Sequence, residues 1–322
     1  MERISLGNTE FEGRNNAYLF TGDRTALVDT GLSTPAVRED LEAELASRGV
    51  DVTDLDLILL THWHHDHAGL AAAFQRESDA TVRVHADDAG LVSGDEGEVA
   101  RLEDARDRLL EAWGTPKDQR DALVAFLDAS EDKAGAPATV DSLSDGETVQ
   151  VGDDTLRAVH APGHTEGMTC YVREDGTILT GDALLPSYTP NVGGSDPRVE
   201  DPLGTYLGVL VDLVEAGYDR AYPGHRDPID DPAARAREIL DHHRDRARRV
   251  IEILGERGTT DAWTVSSALF GDLEGVHIIH GPGESYAHLE HLRREGLVEQ
   301  TDEGYAATVG APAAADDVVP TL

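Results

Sequence analysis

Cysteine is almost missing from this chain of 322 residues: Cys170 stands alone, so no intrachain disulfide can form. Lysine is nearly missing too, at Lys117 and Lys133 only, which leaves arginine to supply almost all of the positive charge. Aromatic residues make up only 5%, and no apolar run approaches the roughly 20 residues of a membrane-spanning helix, so no membrane partner is expected. Met1-Glu2-Arg3 leads into polar residues and not into the apolar stretch of a secretion signal, and the expected location is the cytoplasm. The excess is in acid: 63 Asp and Glu against 27 Lys and Arg give a formal net charge of −36. Self-repulsion on that scale destabilises a compact chain in dilute buffer, but at molar salt the Debye length shrinks to about 3 Å and screens it. The composition therefore points to a halophilic, salt-accumulating cytoplasm. An acidic face for a basic partner fits less well, because the acids spread along the whole chain. The 39% of hydrophobic residues fall in regular short runs, and the length allows one large core with a smaller domain.

Histidine is concentrated in one place. Leu57-Ile58-Leu59-Leu60 reads as a buried strand with no polar face, and Thr61-His62-Trp63-His64-His65-Asp66-His67-Ala68-Gly69 follows it directly. Helix-favouring residues come next, so the histidines sit on a strand-to-helix turn. In extended backbone His62 and His64 point to the same side; after the turn, Asp66 and His67 can face a second point nearby. Imidazoles and a carboxylate gathered this closely suit divalent cations, zinc above all. A purification-tag-like tract would lack the strand in front. His65 fits no ligand pattern and reads as a bystander.

This stretch resembles the metallo-beta-lactamase superfamily of hydrolases, and the resemblance covers the first two thirds of the chain. The family's other elements occur in order, each after a short apolar strand: Asp29-Thr30-Gly31, Pro162-Gly163-His164-Thr165, Gly181-Asp182 and Pro223-Gly224-His225. The resemblance implies an α/β fold, the αββα metallo-beta-lactamase sandwich, over residues 1–230. It also implies two divalent metal ions, most readily zinc, with iron or manganese as alternatives in the same ligands. His62, His64 and His164 would hold the first ion, Asp66, His67 and His225 the second, and Asp182 would bridge them. A hydroxide generated there would attack a carbonyl or phosphoryl centre, with a protonated Asp66 or a metal-bound water donating to the leaving group. Two dications against two aspartates leave the pocket positive, which favours a small anionic substrate. Asp29 would orient a histidine ligand, or would simply make the turn.

Elsewhere the pattern is less specific. Pro35 to Arg48 predicts an amphipathic helix with Val37, Leu41 and Leu45 on one face. His85 ends the strand Thr81–His85 and reads as a structural histidine more readily than as a ligand. Val99 to Ala129 predicts helices, and Glu131 to Asp141 a loop beside the metal cleft. Leu184 to Gly194 is rich in turn formers and is a candidate substrate loop, with Tyr188 the residue best able to touch substrate; a purely structural loop is the other reading. A helix is predicted from Asp231-Pro232 to about Arg257, then helices at Ala262–Phe270 and around Glu284–Glu295, and a ribbon to Tyr305. That order resembles a winged helix, as carried by a subgroup of the superfamily that includes thioesterase-like enzymes and a single-strand endoribonuclease, so residues 231–310 are expected to form a small winged-helix-like α+β domain. Residues 311–322 are expected to be a disordered tail.

Asp182 stands near where true metallo-beta-lactamases place a cysteine, which argues against antibiotic hydrolysis. His64, with no flavin module after it, argues against the di-iron oxygen-reducing relatives. The expectation is a binuclear hydrolase cleaving an ester or thioester of a small anionic substrate. The alternative is a phosphodiesterase or single-strand endoribonuclease guided by the winged helix. Nucleic acid is the less favoured partner, because the arginines from Arg235 to Arg249 are interleaved with acids.

Overall fold

The computed structural model describes residues 1–7 and 13–322 and divides into two compact units. The first comprises Met1–Val99, Ser130–Pro190 and Tyr218–Pro232. It holds two sheets. One runs β1 (Glu2–Ser5), β2 (Asn16–Phe20), β3 (Ala26–Val28), β4 (Leu57–Leu59), β5 (Thr81–His85) and β6 (Val140–Leu143) in spatial order, antiparallel up to β3 and parallel from there. The other contains β7 (Thr148–Val151), β8 (Asp154–His160), β9 (Thr169–Arg173), β10 (Thr177–Gly181) and β11 (Arg220–Pro223), with β11 parallel to β10 and the remaining pairs antiparallel. The sequence pattern from Ile4 to Phe20 predicts short strands, and the part of it at residues 8–12 lies outside the described residues.

Alternation along the strands explains why β4 has no polar face. Leu57 and Leu59 join Tyr18, Phe20 and Val28 against Leu156, Tyr171 and Leu179 of the second sheet. Ile58 and Leu60 point the other way, into a cluster with Val37, Leu41 and Leu45 and with Leu70, Ala72 and Phe74. Those residues belong to helix α1 (Pro35–Ser47) and to the segment entering α3 (Ala71–Ser78), with the single-turn α2 (His65–Ala68) just before it. α1 starts where predicted, with Thr34 Oγ1 accepting from Val37 N and Pro35 in the first turn. Burying each of the Val, Ile, Leu and Phe side chains contributes about 1.5–3 kcal/mol. Together they fix the strand end from which the histidine turn departs. α4 (Ala86–Val92) follows β5.

The second unit comprises Ala100–Ala129, Asn191–Gly217 and Ala233–Leu322. It contains α5 (Glu96–Ala112) from Ala100 on, α6 (Lys117–Ser130), α7 (Pro202–Ala216), α8 (Pro232–Arg257), α9 (Ala262–Phe270), α10 (His277–Arg294), the hairpin β12 (Val298–Thr301) and β13 (Gly304–Ala307), and α11 (Ala311–Ala314). Three expectations are corrected here. The unit does not begin at residue 231: Leu110, Trp113 and Leu123 of the earlier segment share one core with Val250, Leu254, Val265 and Leu289. α10 begins well before Glu284, because His280-Gly281-Pro282-Gly283 is helical despite its turn-forming composition. Gly283 is required for close approach, since a Cβ on it would collide with the backbone of Gly194. The tail after residue 310 is ordered. Ala311 and Ala315 are buried in the same core, and His291 Nε2 lies 2.8 Å from the Val318 carbonyl oxygen.

α8 and α10 bury a histidine pair, with His243 Nδ1 3.2 Å from His288 Nε2. Burial pushes the His288 imidazole down to about 3; burial and the neighbouring His288 and His242 push His243 down as well. Burial favours the neutral form of both when folded, and they take up protons when unfolded, so their contribution to stability is complete above about pH 6.5 and falls as pH drops toward the folded values. The stability lost between pH 7.5 and pH 5 should therefore be smaller in His288→Gln than in the parent, as read from urea midpoints. Equal losses would show that the pair does not set the slope.

Candidate metal centre

The histidine turn leaves β4 and enters α2, which places its ligands on two sides of one point. Asp29 governs that turn. Its backbone sits at φ 59°, and its carboxylate accepts from Thr61 N at 2.8 Å and Thr61 Oγ1 at 2.8 Å while meeting His67 Nδ1 at 2.9 Å. The turn and the orienting role are thus one arrangement: with Nδ1 bound to Asp29, His67 turns Nε2 into the centre. Thr30 fixes the same loop through hydrogen bonds from its N and Oγ1 to the His67 carbonyl, at 2.7 and 3.0 Å.

Three imidazoles form the first group. His64 Nδ1 lies 3.0 Å from His62 Nε2 and 3.1 Å from His164 Nε2. The second group is Asp66, His67 and His225: Asp66 Oδ2 is 3.8 Å from His67 Nε2 and 3.4 Å from His225 Nε2. Asp182 stands between them. Its Oδ1 is 3.5 Å from His67 Nε2, and its Oδ2 is 3.4 Å from His225 Nε2 and 3.7 Å from His164 Nε2. All seven side chains predicted as ligands therefore converge, although they span residues 62 to 225. His65 is exposed and belongs to neither group. Gly224 is needed for this convergence, because a Cβ there would meet Asp182 Oδ1 and stand 2.6 Å from His67 Cε1.

The donor set fits a divalent cation on grounds internal to the structure. His67 Nε2, His225 Nε2 and Asp182 Oδ1 are buried without a hydrogen-bond partner, and such orphaned polar groups call for an ion or water. Electrostatics agree. Burial disfavours the charged forms, but His67 and His225 hold the Asp66 carboxyl well below the usual range, and the same two imidazoles lower Asp182. Against the same burial, Asp182 and Asp66 raise His225 to about 10 and raise His67. The carboxylates are thus anionic and oriented, and they draw whatever positive charge is available. Asp66 lies with His67 and His225 in the second group, where the two imidazoles favour its charged form.

Several supporting residues were not singled out from the sequence. Asn15 Nδ2 donates to Asp66 Oδ2 at 3.1 Å, and the Gly13 carbonyl faces His225 Nδ1 at 3.1 Å. Asp88, fully buried on α4, accepts from Trp63 N at 3.2 Å, Thr165 Oγ1 at 2.9 Å and Gly167 N at 2.9 Å, tying the histidine turn to the loop that carries His164. The double asparagine Asn15-Asn16 at a strand entrance was a visible clue; Asp88 stood in no motif. His85, Asp87 and His160 make a further cluster. There the rings of His85 and His160 stack at 4.1 Å and 8°, His85 Nδ1 accepts from Asp87 N, and His160 Nε2 faces the Glu166 carbonyl at 2.8 Å. His85 Nδ1 and His160 Nε2 thus each have a partner within the protein. Tyr188 is 49% exposed, and the Arg226 guanidinium carbon lies 4.4 Å from its ring centroid.

Comparison with known proteins places this geometry. The family model of the metallo-beta-lactamase superfamily matches residues 11–225. A crystal structure of a metallo-beta-lactamase family protein from Thermus thermophilus superposes with a TM-score of 0.83 at 32% identity, covering 95% of this chain and 98% of that one. The probable metallo-hydrolase YqjP of Bacillus subtilis strain 168 is 28% identical over 89% of this chain and 90% of its own length. An atrochrysone carboxyl ACP thioesterase of Aspergillus chevalieri is 26% identical over 92% of this chain and 79% of its own length. The chain belongs to the metallo-beta-lactamase superfamily and is one of its hydrolases.

Proposed function

We propose that the protein is a binuclear metallohydrolase that cleaves an ester or thioester bond of a small anionic substrate. The observation that carries this reading is Asp182, whose two oxygens face His67 on one side and His164 and His225 on the other. His62, His64 and His164 would hold one divalent ion, Asp66, His67 and His225 a second, with Asp182 shared. The mixed imidazole and carboxylate set suits zinc, and iron or manganese would fit the same donors. Bound there, the ions would supply Lewis acidity and bring the pKa of a coordinated water down toward about 7. The protein's own residues do the rest. Asp29 and Thr61 hold His67 and His62 in one orientation, Asn15 pins Asp66, and Asp88 keeps the His164 loop against the histidine turn. A thioester is favoured over a phosphodiester by the relative named as an ACP thioesterase and by the arginines of α8. Arg235, Arg244, Arg248 and Arg249 pair with Glu238, Asp241, Asp245 and Glu252 on the same helix, which leaves little of a basic stripe for nucleic acid. The strong net acidity and the retained globular core support a halophilic cytoplasmic setting.

Purified protein supplied with zinc should turn over a simple acyl thioester and lose that activity on chelation, with at least tenfold less activity on a labelled single-stranded RNA at the same molar salt. A preference for the RNA would overturn the thioesterase reading. Asp29→Asn keeps the shape and tolerates the positive φ, but its amide cannot accept all three of the donors that Asp29 engages. It should weaken zinc affinity about 10–100-fold in a chelator competition; unchanged affinity would remove Asp29 from the centre's support.

A further inference from the structure

The sequence alone does not identify which cationic side chain would receive a carboxylate of the substrate. The structure does. We infer that Arg226, stacked on Tyr188, is the specificity-determining residue that binds a carboxylate carried by the acyl substrate away from the scissile bond; this rests on the esterase or thioesterase reading above.

Four observations support it. Arg226 directly follows the ligand His225, so its Cα is one residue from the centre. Its Nη2 lies 3.6 Å from where a Cβ on Gly13 would stand, and the Gly13 carbonyl faces His225 Nδ1. The half-buried guanidinium thus lies against the Gly13 segment, whose carbonyl meets His225. Its backbone is held at φ 63°, a conformation that costs energy for a residue with a Cβ. That conformation is fixed by Arg226 N donating to the Arg14 carbonyl at 3.1 Å, and by Asn16 Nδ2 and Arg3 Nη1 donating to the Arg226 carbonyl at 2.7 and 2.8 Å. Finally, the ring beneath it is Tyr188, on the loop that follows Asp182, and that ring is 49% exposed.

Stacking occupies the face of a guanidinium and orients its in-plane N–H fork, the geometry that matches a carboxylate with two parallel hydrogen bonds. A local cation matters more here than in most proteins. With a formal net charge of −36, the chain repels an anion at long range. Recognition of an anion must then come from short-range contacts that salt screens least.

The test compares two thioesters of N-acetylcysteamine, one with a glutaryl group and one with the terminal carboxylate of that group replaced by the isosteric amide. Wild-type enzyme should prefer the carboxylate. In Arg226→Gly, which relieves the positive φ, the ratio of kcat/KM for carboxylate over amide should fall at least tenfold, with the loss in KM and not in kcat. Arg226→Lys should keep part of the preference, and Tyr188→Ala should lose a smaller share than Arg226→Gly. Should Arg226→Gly fold poorly, Arg226→Asn also tolerates this backbone and serves instead. An unchanged ratio in an enzyme that hydrolyses both compounds would overturn the assignment of Arg226 and leave the thioesterase reading standing. Hydrolysis of neither compound by the zinc-loaded wild type would overturn the thioesterase reading, and the assignment of Arg226 with it.

Discussion

Asp182 is a carboxylate buried among imidazoles, and the architecture of the first unit follows from keeping it there. Burial alone would drive a carboxyl toward its neutral form; here His225 and His67 reverse that and hold it charged. Charge in a buried place is tolerable only where opposite charge and oriented dipoles surround it. The structure supplies them from five separate loops: the turn at Asp29, the histidine turn after β4, the His164 loop, the end of β10 and the end of β11. Each loop sits where a strand finishes, so the two sheets act as a frame that delivers side chains to one spot. The convergence is costly to assemble, and the buried nitrogens that make no hydrogen bond there suit a cation.

The support around that frame is polar and specific in its pairing. Asp29 joins Thr61 to His67, Asp88 joins Trp63 to Thr165 and Gly167, and Asn15 and Gly13 hold Asp66 and His225. None of these contacts touches a reacting atom. Such contacts orient the converging side chains, so that little orientational freedom would be lost on binding an ion. The segment that carries His225 continues into Arg226, so the proposed metal ligand and the proposed anion-binding residue are neighbours in the chain.

The convergence of the seven side chains was legible in the sequence because metal chemistry restricts residue types, and because a candidate ligand at a strand end announces itself by the apolar run before it. The run Leu57–Leu60 before the histidine turn and the run Thr177–Thr180 before Gly181-Asp182 are of this kind. Asp88 was not legible. It lies on a helix among other acids, and only the fold distinguishes one buried aspartate from its exposed neighbours. Arg226 was overlooked in the same way: in a chain where arginine is the general-purpose cation, nothing but its positive φ and its stacked ring sets it apart. The second unit was read correctly as helices and a ribbon but cut at the wrong place, because Leu110, Trp113 and Leu123 reach its core from a distant part of the chain. Helix α10 was shortened in the reading by its Gly-Pro-Gly stretch, where close packing on Gly194 overrides local propensity. The tail was misjudged because alanines that look like filler, Ala311 and Ala315, are small enough to bury.

The central claim is that two cations share Asp182. X-ray absorption spectroscopy on zinc-loaded protein tests it most directly, comparing the parent with Asp182→Asn. The account predicts about two zinc ions per chain in the parent, bound by nitrogen and oxygen donors with a metal–metal vector of about 3.5–4 Å, and the disappearance of that vector in the variant. A single ion in the parent, or a metal–metal vector that persists without the Asp182 carboxylate, would contradict it.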